Sequence, residues 1–269
     1  MQESNSHPFL RNLSASPPIP VAHRGASGLA PENTIASFRL ALELGCPAVE
    51  LDVRPSRDGT IVVMHDASVD RTTNGSGQVS EMSWQELGVL DAGSWFDPSF
   101  AGERVPRLED VLDFAHSNAQ RSEAGRLSLV IEIKSPGIEK QVVQLVHDFR
   151  MQDRCVIVSF HPEVLRAVSE LTASLPTGLI VWAPRPGAIP DEELVARTRD
   201  ARAQALVISH AALSARLVDR AHDEGLAVVT WTVDAAPRMR AVLKMRADAV
   251  ATNRPDILLA LLSSERKHC

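Results

Sequence analysis

Short apolar runs alternate with longer amphipathic stretches along nearly the whole of this 269-residue chain. The apolar runs fall at 19–23, 48–53, 128–133, 155–159, 177–182, 204–208, 227–231 and 248–251, each of strand length. Between them, apolar residues recur at helical spacing over 33–44, 107–116, 138–150, 162–171, 190–199, 213–223, 235–245 and 255–262. In the first of these, Ile35, Phe38, Ala41 and Leu42 share a face and Gly45 supplies a stop; in the last, Pro255 stands at a helix start. Eight strands alternating with eight helices predict an α/β fold with a parallel sheet. That number favours a TIM (β/α)8 barrel over an open doubly wound sheet. No strand leads into a GxGxxG loop, which argues against a dinucleotide-binding fold.

One interval breaks the rhythm. After the apolar run Ile61 to Met64 come about forty residues (66–106) rich in Gly, Ser, Asp and Thr, holding Trp84, Trp95, Phe96 and Phe100. A structureless loop of that length is rare within a compact domain, so the stretch reads as a small insertion after the second strand. Its place in the order puts it on the C-terminal face, capping the barrel mouth, where barrel active sites lie. Its aromatics either shape that mouth or form a satellite core. Residues 19–269 then make one barrel domain including the insertion, preceded by a flexible polar segment, 1–18.

Composition narrows the function more than the fold. At 44% hydrophobic, 23% charged and a net charge of −6, the chain is ordinary for a globular protein and has no basic footprint for nucleic acid. It has no basic cluster suited to an anionic membrane surface and no run approaching the roughly 20 apolar residues of a membrane span. Cys46, Cys155 and Cys269 form no CxxC pair, and Cys155 sits in an apolar run as a small buried hydrophobe. The polar N-terminus lacks a signal-peptide core, so a cytoplasmic, soluble protein is expected.

Candidate chemistry gathers at the strand ends. The first strand ends in His23-Arg24-Gly25, an imidazole beside a guanidinium suited to phosphate. In Ala48-Val49-Glu50-Leu51-Asp52-Val53 the two carboxylates point to one face, because strand side chains alternate. Two carboxylates inside a sheet buried on both faces repel unless a cation lies between them. Glu132 and Lys134 repeat the arrangement at the end of Leu127 to Lys134. Such an oxygen-rich set suits a hard divalent cation, Mg²⁺ or Ca²⁺, beside a phosphate, rather than zinc. His65 follows the run Val62-Val63-Met64, with Asp66 or Asp70 placed to orient it. Two histidines and a metal suffice for displacement at phosphorus, one ring as base and one as acid.

These stretches, with Pro31-Glu32-Asn33-Thr34, Asp70-Arg71-Thr72-Thr73, Trp231-Thr232-Val233 and Thr252-Asn253-Arg254-Pro255, resemble the glycerophosphodiester phosphodiesterases in order and spacing from about Ile19 to Leu262. The resemblance implies a TIM barrel with a small insertion and a divalent cation, Mg²⁺ or Ca²⁺, held by Glu50, Asp52 and Glu132. It implies phosphate contacts from Arg24 and Lys134, an acid–base pair in His23 and His65, and hydrolysis of a small-molecule glycerophosphodiester to glycerol 3-phosphate and an alcohol. Glu32 is expected near the metal or Arg24, Asn33 as partly a helix cap, and Trp231 on the glycerol side of the pocket. Asp234 departs from the family's usual Asn, and the chain has no tyrosine. Phe160 and Trp182, at strand ends, either shape the mouth or, as their main expected role, pack in the core. A lysophospholipase D-like hydrolase or a phosphoinositide lyase on the same barrel, or a non-catalytic phosphodiester-binding barrel, are the competing readings.

Overall fold

The structure is a computed structural model that describes residues 18–121 and 126–266; except for Pro18, the expected flexible segment lies outside them, as does Cys269. Eight strands run parallel and close on themselves as a TIM barrel: β1 (Ile19–Ala22), β2 (Ala48–Pro55), β4 (Ser128–Ile133), β5 (Cys155–Ser159), β6 (Thr177–Val181), β7 (Ala205–Ser209), β8 (Ala227–Trp231) and β9 (Ala249–Thr252). Closure comes from β1, which pairs with β9 on one side and with β2 on the other. The short β3 (Ile61–Val63) turns back antiparallel on the far end of β2, with Val63 opposite Val53.

A helix follows each barrel strand or hairpin: α1 (Ile35–Glu43), α3 (Leu108–Arg121), α4 (Glu139–Asp148), α5 (Pro162–Leu171), α6 (Asp191–Asp200), α7 (Ala215–Asp223), α8 (Ala236–Lys244) and α9 (Pro255–Arg266). All eight expected helices and strands are present, with boundaries moved by a few residues where caps rather than apolar periodicity set them. At α1 the cap is Thr34, whose side chain accepts from Ser37 N while the Ser37 side chain accepts from Thr34 N. Asn33 therefore does not cap this helix, contrary to expectation; a hydroxyl one residue on takes that place.

Strand alternation sorts the side chains into two layers. Val49, Leu51 and Val53 of β2, and Leu129, Ile131 and Ile133 of β4, face outward into the helix layer, packed with Phe38, Leu108 and Leu112. Inward-facing positions carry small apolar residues at the lower end, among them Val21, Ala48, Val130, Val156, Val207 and Val229. Further along the same inward rows stand Glu50, Asp52 and Glu132. Because Asp52 is the register partner of Glu132, the parallel pairing of β2 with β4 sets these carboxylates side by side.

The insertion builds its own satellite core from Val62, Met64, Val69, Val79, Leu87, Ala92 and Val105. It contains the single-turn helix α2 (Trp84–Leu87), and Trp84 packs on this core with the Arg107 guanidinium 5.4 Å above its ring. Trp95, Phe96 and Phe100 stack edge to face at 5.7 and 5.8 Å. Phe160 and Trp182 are 42% and 63% exposed, so neither packs in the core as expected; each lies just past its strand, where the barrel interior opens.

Gly25 ties the β1 turn to α1. It adopts φ +81°, and a Cβ there would stand 2.3 Å from Ser37 Oγ and 2.7 Å from a Ser37 backbone atom. Gly45, after α1, has φ +84° but open space around it. Gly45→Ala should therefore cost roughly 1–2 kcal/mol of backbone strain. Gly25→Ala adds overpacking and should cost roughly 2–5 kcal/mol. Chemical denaturation of the two variants checks the difference; equal losses would contradict the close packing of the turn on α1.

Candidate active site and metal centre

The site forms where β1, β2 and β4 end. Past β1 the backbone turns sharply, with Arg24 at φ 57° and Gly25 at φ 81°. A left-handed arginine is uncommon and marks a local constraint. Here the turn aims the Arg24 backbone N–H at Glu50 Oε2, 2.9 Å away, while Ser37 Oγ donates to Arg24 O at 3.0 Å. Asn33 is left-handed too, at φ 57°, and its amide brackets Asp52: Nδ2 donates to Oδ2 at 2.8 Å and Oδ1 accepts from the Asp52 backbone N–H at 3.3 Å.

Glu50, Asp52 and Glu132 are all buried, and each offers a carboxylate oxygen within 4.8 Å of the others. Burial, then repulsion from Asp52 and Glu132, raises Glu50 well above the usual carboxylate range. Burial and Asp52 push Glu132 up to about 7. Burial would raise Asp52 as well, but Arg24 and Lys134 outweigh it and hold this carboxyl below its ordinary value. Lys134 Nζ lies 2.7 Å from Glu132 Oε1 and 3.4 Å from Asp52 Oδ1, and Arg24 Nε lies 3.3 Å from Asp52 Oδ2. Asp52 Oδ1 is nonetheless buried without a hydrogen-bond donor. Three desolvated carboxylates, one oxygen without a hydrogen-bond donor and two pKa values raised by burial and then by repulsion fit a divalent cation.

The histidines come from different elements, His23 from the end of β1 and His65 from just past β3, and differ in their partners. His23 Nδ1 lies 2.8 Å from the Asn253 side-chain oxygen, and its Nε2 lies 3.9 Å from Glu50 Oε2. Burial, reinforced by Arg24, lowers the His23 pKa to about 4, so its ring is neutral near pH 7. His65 Nδ1 lies 2.6 Å from Asp66 Oδ1, and Arg54 donates from Nε and a terminal nitrogen to the His65 carbonyl at 3.0 and 2.8 Å. Burial lowers the His65 pKa, while Asp52 and Asp66 pull the other way. Of the two aspartates considered for orienting this ring, Asp66 is the one in contact; Asp70 instead accepts from Ser76 Oγ at 2.5 Å.

A cavity of about 160 Å³ opens beside these groups, lined by His23, Arg24, Glu50, His65, Glu132 and Lys134 at its charged end and by Phe160 and Trp231 at its rim. The Phe160 and Trp231 rings meet edge to face at 5.8 Å. Glu32 is not part of this lining: it accepts from Arg24 at 2.9 Å and, through both oxygens, from Arg71 at 2.8 Å. Arg71 also donates to Asp66 at 2.6 Å. Arg71, Arg54 and Asn253 thus belong to the site although periodicity gave no reason to single them out, whereas Asp66 is one of the two aspartates the sequence offered for His65. For Arg71 and Asn253 the signal was their place in the DRTT and TNRP stretches.

The model of the glycerophosphoryl diester phosphodiesterase family matches residues 23–257, a span that includes the triad and both histidines. The chain belongs to this family. It is 38% identical over 243 residues to YhdW of Bacillus subtilis, covering 89% of this chain and 96% of that one. It is 35% identical over 247 residues to the glycerophosphodiester phosphodiesterase of Caldanaerobacter subterraneus, covering 90% and 96%. Among solved structures it is similar to a phosphodiesterase of Oleispira antarctica in complex with the product sn-glycerol 3-phosphate, with TM-score 0.77, 28% identity, and coverage of 91% and 97%.

Adding Mg²⁺ or Ca²⁺ to the stripped protein should raise its melting temperature in a concentration-dependent way, because a ligand bound to the native state alone stabilises it. The variants Glu50→Gln, Asp52→Asn and Glu132→Gln should each weaken that binding roughly tenfold or more by removing ligand charge. Differential scanning fluorimetry across a cation titration checks this; an unshifted wild-type midpoint at millimolar cation would contradict the metal centre.

Proposed function

We propose that this protein hydrolyses glycerophosphodiesters to glycerol 3-phosphate and an alcohol, with Glu50, Asp52 and Glu132 holding a divalent cation, Mg²⁺ or Ca²⁺. The observation that carries this reading is the buried triad flanked by Arg24 and Lys134 in one cavity with His23 and His65. Membership of the family and the glycerol 3-phosphate found in the Oleispira antarctica relative support the substrate class. A cation held by the triad would add positive charge where the phosphate's negative charge builds up.

Arg24 and Lys134 bind the non-bridging oxygens of the phosphodiester and stabilise the charge that develops on them. Their existing partners favour this role: each already faces the triad, so each is fixed before substrate arrives. Glu32 assists by gripping the Arg24 guanidinium. The insertion caps one side of the mouth, tied down where Arg71 bridges Glu32 and Asp66. Trp231 lines the glycerol side, its ring fixed by an indole N–H donated to Val207 O at 3.2 Å.

His23 acts as the base and His65 as the acid. The partners of the two rings support this division. Burial and the Arg24 charge outweigh the Asn253 oxygen and keep the His23 ring neutral, ready to accept a proton, whereas the Asp66 carboxylate beside His65 favours an imidazolium there. His23 takes the proton of the attacking oxygen, and His65 protonates the leaving alkoxide, otherwise a poor leaving group.

A lysophospholipid substrate is the second reading, and the cavity wall favours it. Below the charged end the lining is Val130, Val156, Val158, Ile180, Val207 and Val229, an apolar surface able to take an alkyl group. The insertion aromatics do not contribute, since none of them lines this cavity.

His23→Ala and His65→Ala should each lower kcat on glycerophosphocholine by roughly 10²- to 10⁴-fold. Near wild-type kcat in either variant would remove that histidine from the mechanism. Comparing kcat/KM for glycerophosphocholine and lysophosphatidylcholine separates the two substrate readings: preference for the first supports the main one, and preference for the second the apolar wall.

A further inference from the structure

Three residues beyond β8, Asp234 faces the turn that follows β9. Its Oδ1 accepts from the Asn253 backbone N–H at 2.8 Å and from Thr252 Oγ1 at 3.1 Å, and its Oδ2 accepts from Asn253 Nδ2 at 2.8 Å. An ionised carboxylate has acceptors only. The Asn253 amide therefore turns its NH₂ group toward Asp234, and its oxygen faces the opposite way. The flipped amide would set two oxygens 2.8 Å apart with no proton between them.

On that opposite side the Asn253 oxygen lies 2.8 Å from His23 Nδ1 and 2.8 Å from Ser27 Oγ. The Ser27 hydroxyl also lies 2.7 Å from the His23 carbonyl, so its one proton serves either acceptor and does not change the role of the amide oxygen. An acceptor facing Nδ1 requires the proton of the neutral ring to sit on Nδ1. The lone pair then sits on Nε2, the nitrogen on the Glu50 side of the ring.

We propose that Asp234 is a positioning residue that, through Asn253, fixes His23 in the Nδ1–H tautomer and so presents Nε2 as the bare, proton-accepting nitrogen. The proposal deepens the reading of His23 as the base and rests on it for its catalytic consequence. Asparagine at 234 would reverse the device, because its oxygen is held by the Asn253 backbone N–H and its NH₂ then faces the Asn253 side chain. The Asn253 amide then turns its oxygen to residue 234 and its NH₂ to His23 Nδ1, which moves the ring proton to Nε2.

The direct test is long-range ¹H–¹⁵N correlation NMR on histidine-labelled protein, with the His23 signals assigned through His23→Gln. This reads the tautomer without any substrate. In the wild type, His23 should show a protonated Nδ1 and an unprotonated Nε2; the reverse pattern would overturn the proposal. In Asp234→Asn and Asp234→Ala the pattern should shift toward the other tautomer. There kcat on glycerophosphocholine should fall roughly tenfold or more, with the KM and the Mg²⁺ midpoint of thermal stabilisation close to wild type. The fall should be at least as large in Asp234→Asn, whose NH₂ reverses the Asn253 amide, as in Asp234→Ala, which only frees it. An unchanged tautomer and kcat in both variants would also overturn it. Full activity in His23→Gln would instead defeat the assignment of His23 as base, an outcome separate from the tautomer readout.

Discussion

Three carboxylates in a closed barrel cannot all carry charge without compensation, and the surroundings of Glu50, Asp52 and Glu132 are organised around that constraint. Two unit charges 4.8 Å apart repel by roughly 3 kcal/mol at an effective dielectric near 20, before any desolvation is counted. Three carboxylates face two neighbouring cations, Arg24 and Lys134, and one of these is already shared with Glu32. The imbalance shows in the pKa values of Glu50 and Glu132, raised by burial and by the neighbouring carboxylates, and in an Asp52 oxygen that is buried without a hydrogen-bond donor. A cation is the group that resolves all three at once.

The same constraint accounts for the backbone at the mouth. Left-handed conformations at Arg24 and Asn33 are unfavourable by themselves, yet one aims an N–H at Glu50 and the other folds an amide around Asp52. The capping box of α1 and the packing of Gly25 on Ser37 hold that turn in place. From there ion pairs run outward through Arg24, Glu32, Arg71 and Asp66 to His65. The insertion is therefore coupled to the barrel centre by charge, while its apolar residues pack on a separate satellite core.

Much of this is legible in the sequence, for a simple reason. Strand side chains alternate with a period of two, so Glu50, Asp52 and Glu132 are assigned to one inward face as soon as their strands are identified, and parallel register does the rest. What escapes that logic depends on turns. Asn33 holds Asp52 instead of capping α1 because its backbone is left-handed. Asp66 rather than Asp70 meets His65 because of how the loop after β3 curves. Phe160 and Trp182 stay exposed because each lies just beyond its strand, where the barrel no longer closes over it. Asn253, held by Asp234, meets His23 only once the barrel is closed between β1 and β9.

The central claim, that phosphodiester hydrolysis depends on a cation balancing the buried triad, is tested most directly by one assay. Glycerol 3-phosphate release from glycerophosphocholine would be followed in protein stripped with EDTA and then titrated with Mg²⁺ or Ca²⁺. Activity lost on stripping and restored at about one cation per chain is the expected result; undiminished turnover in the stripped protein would contradict it.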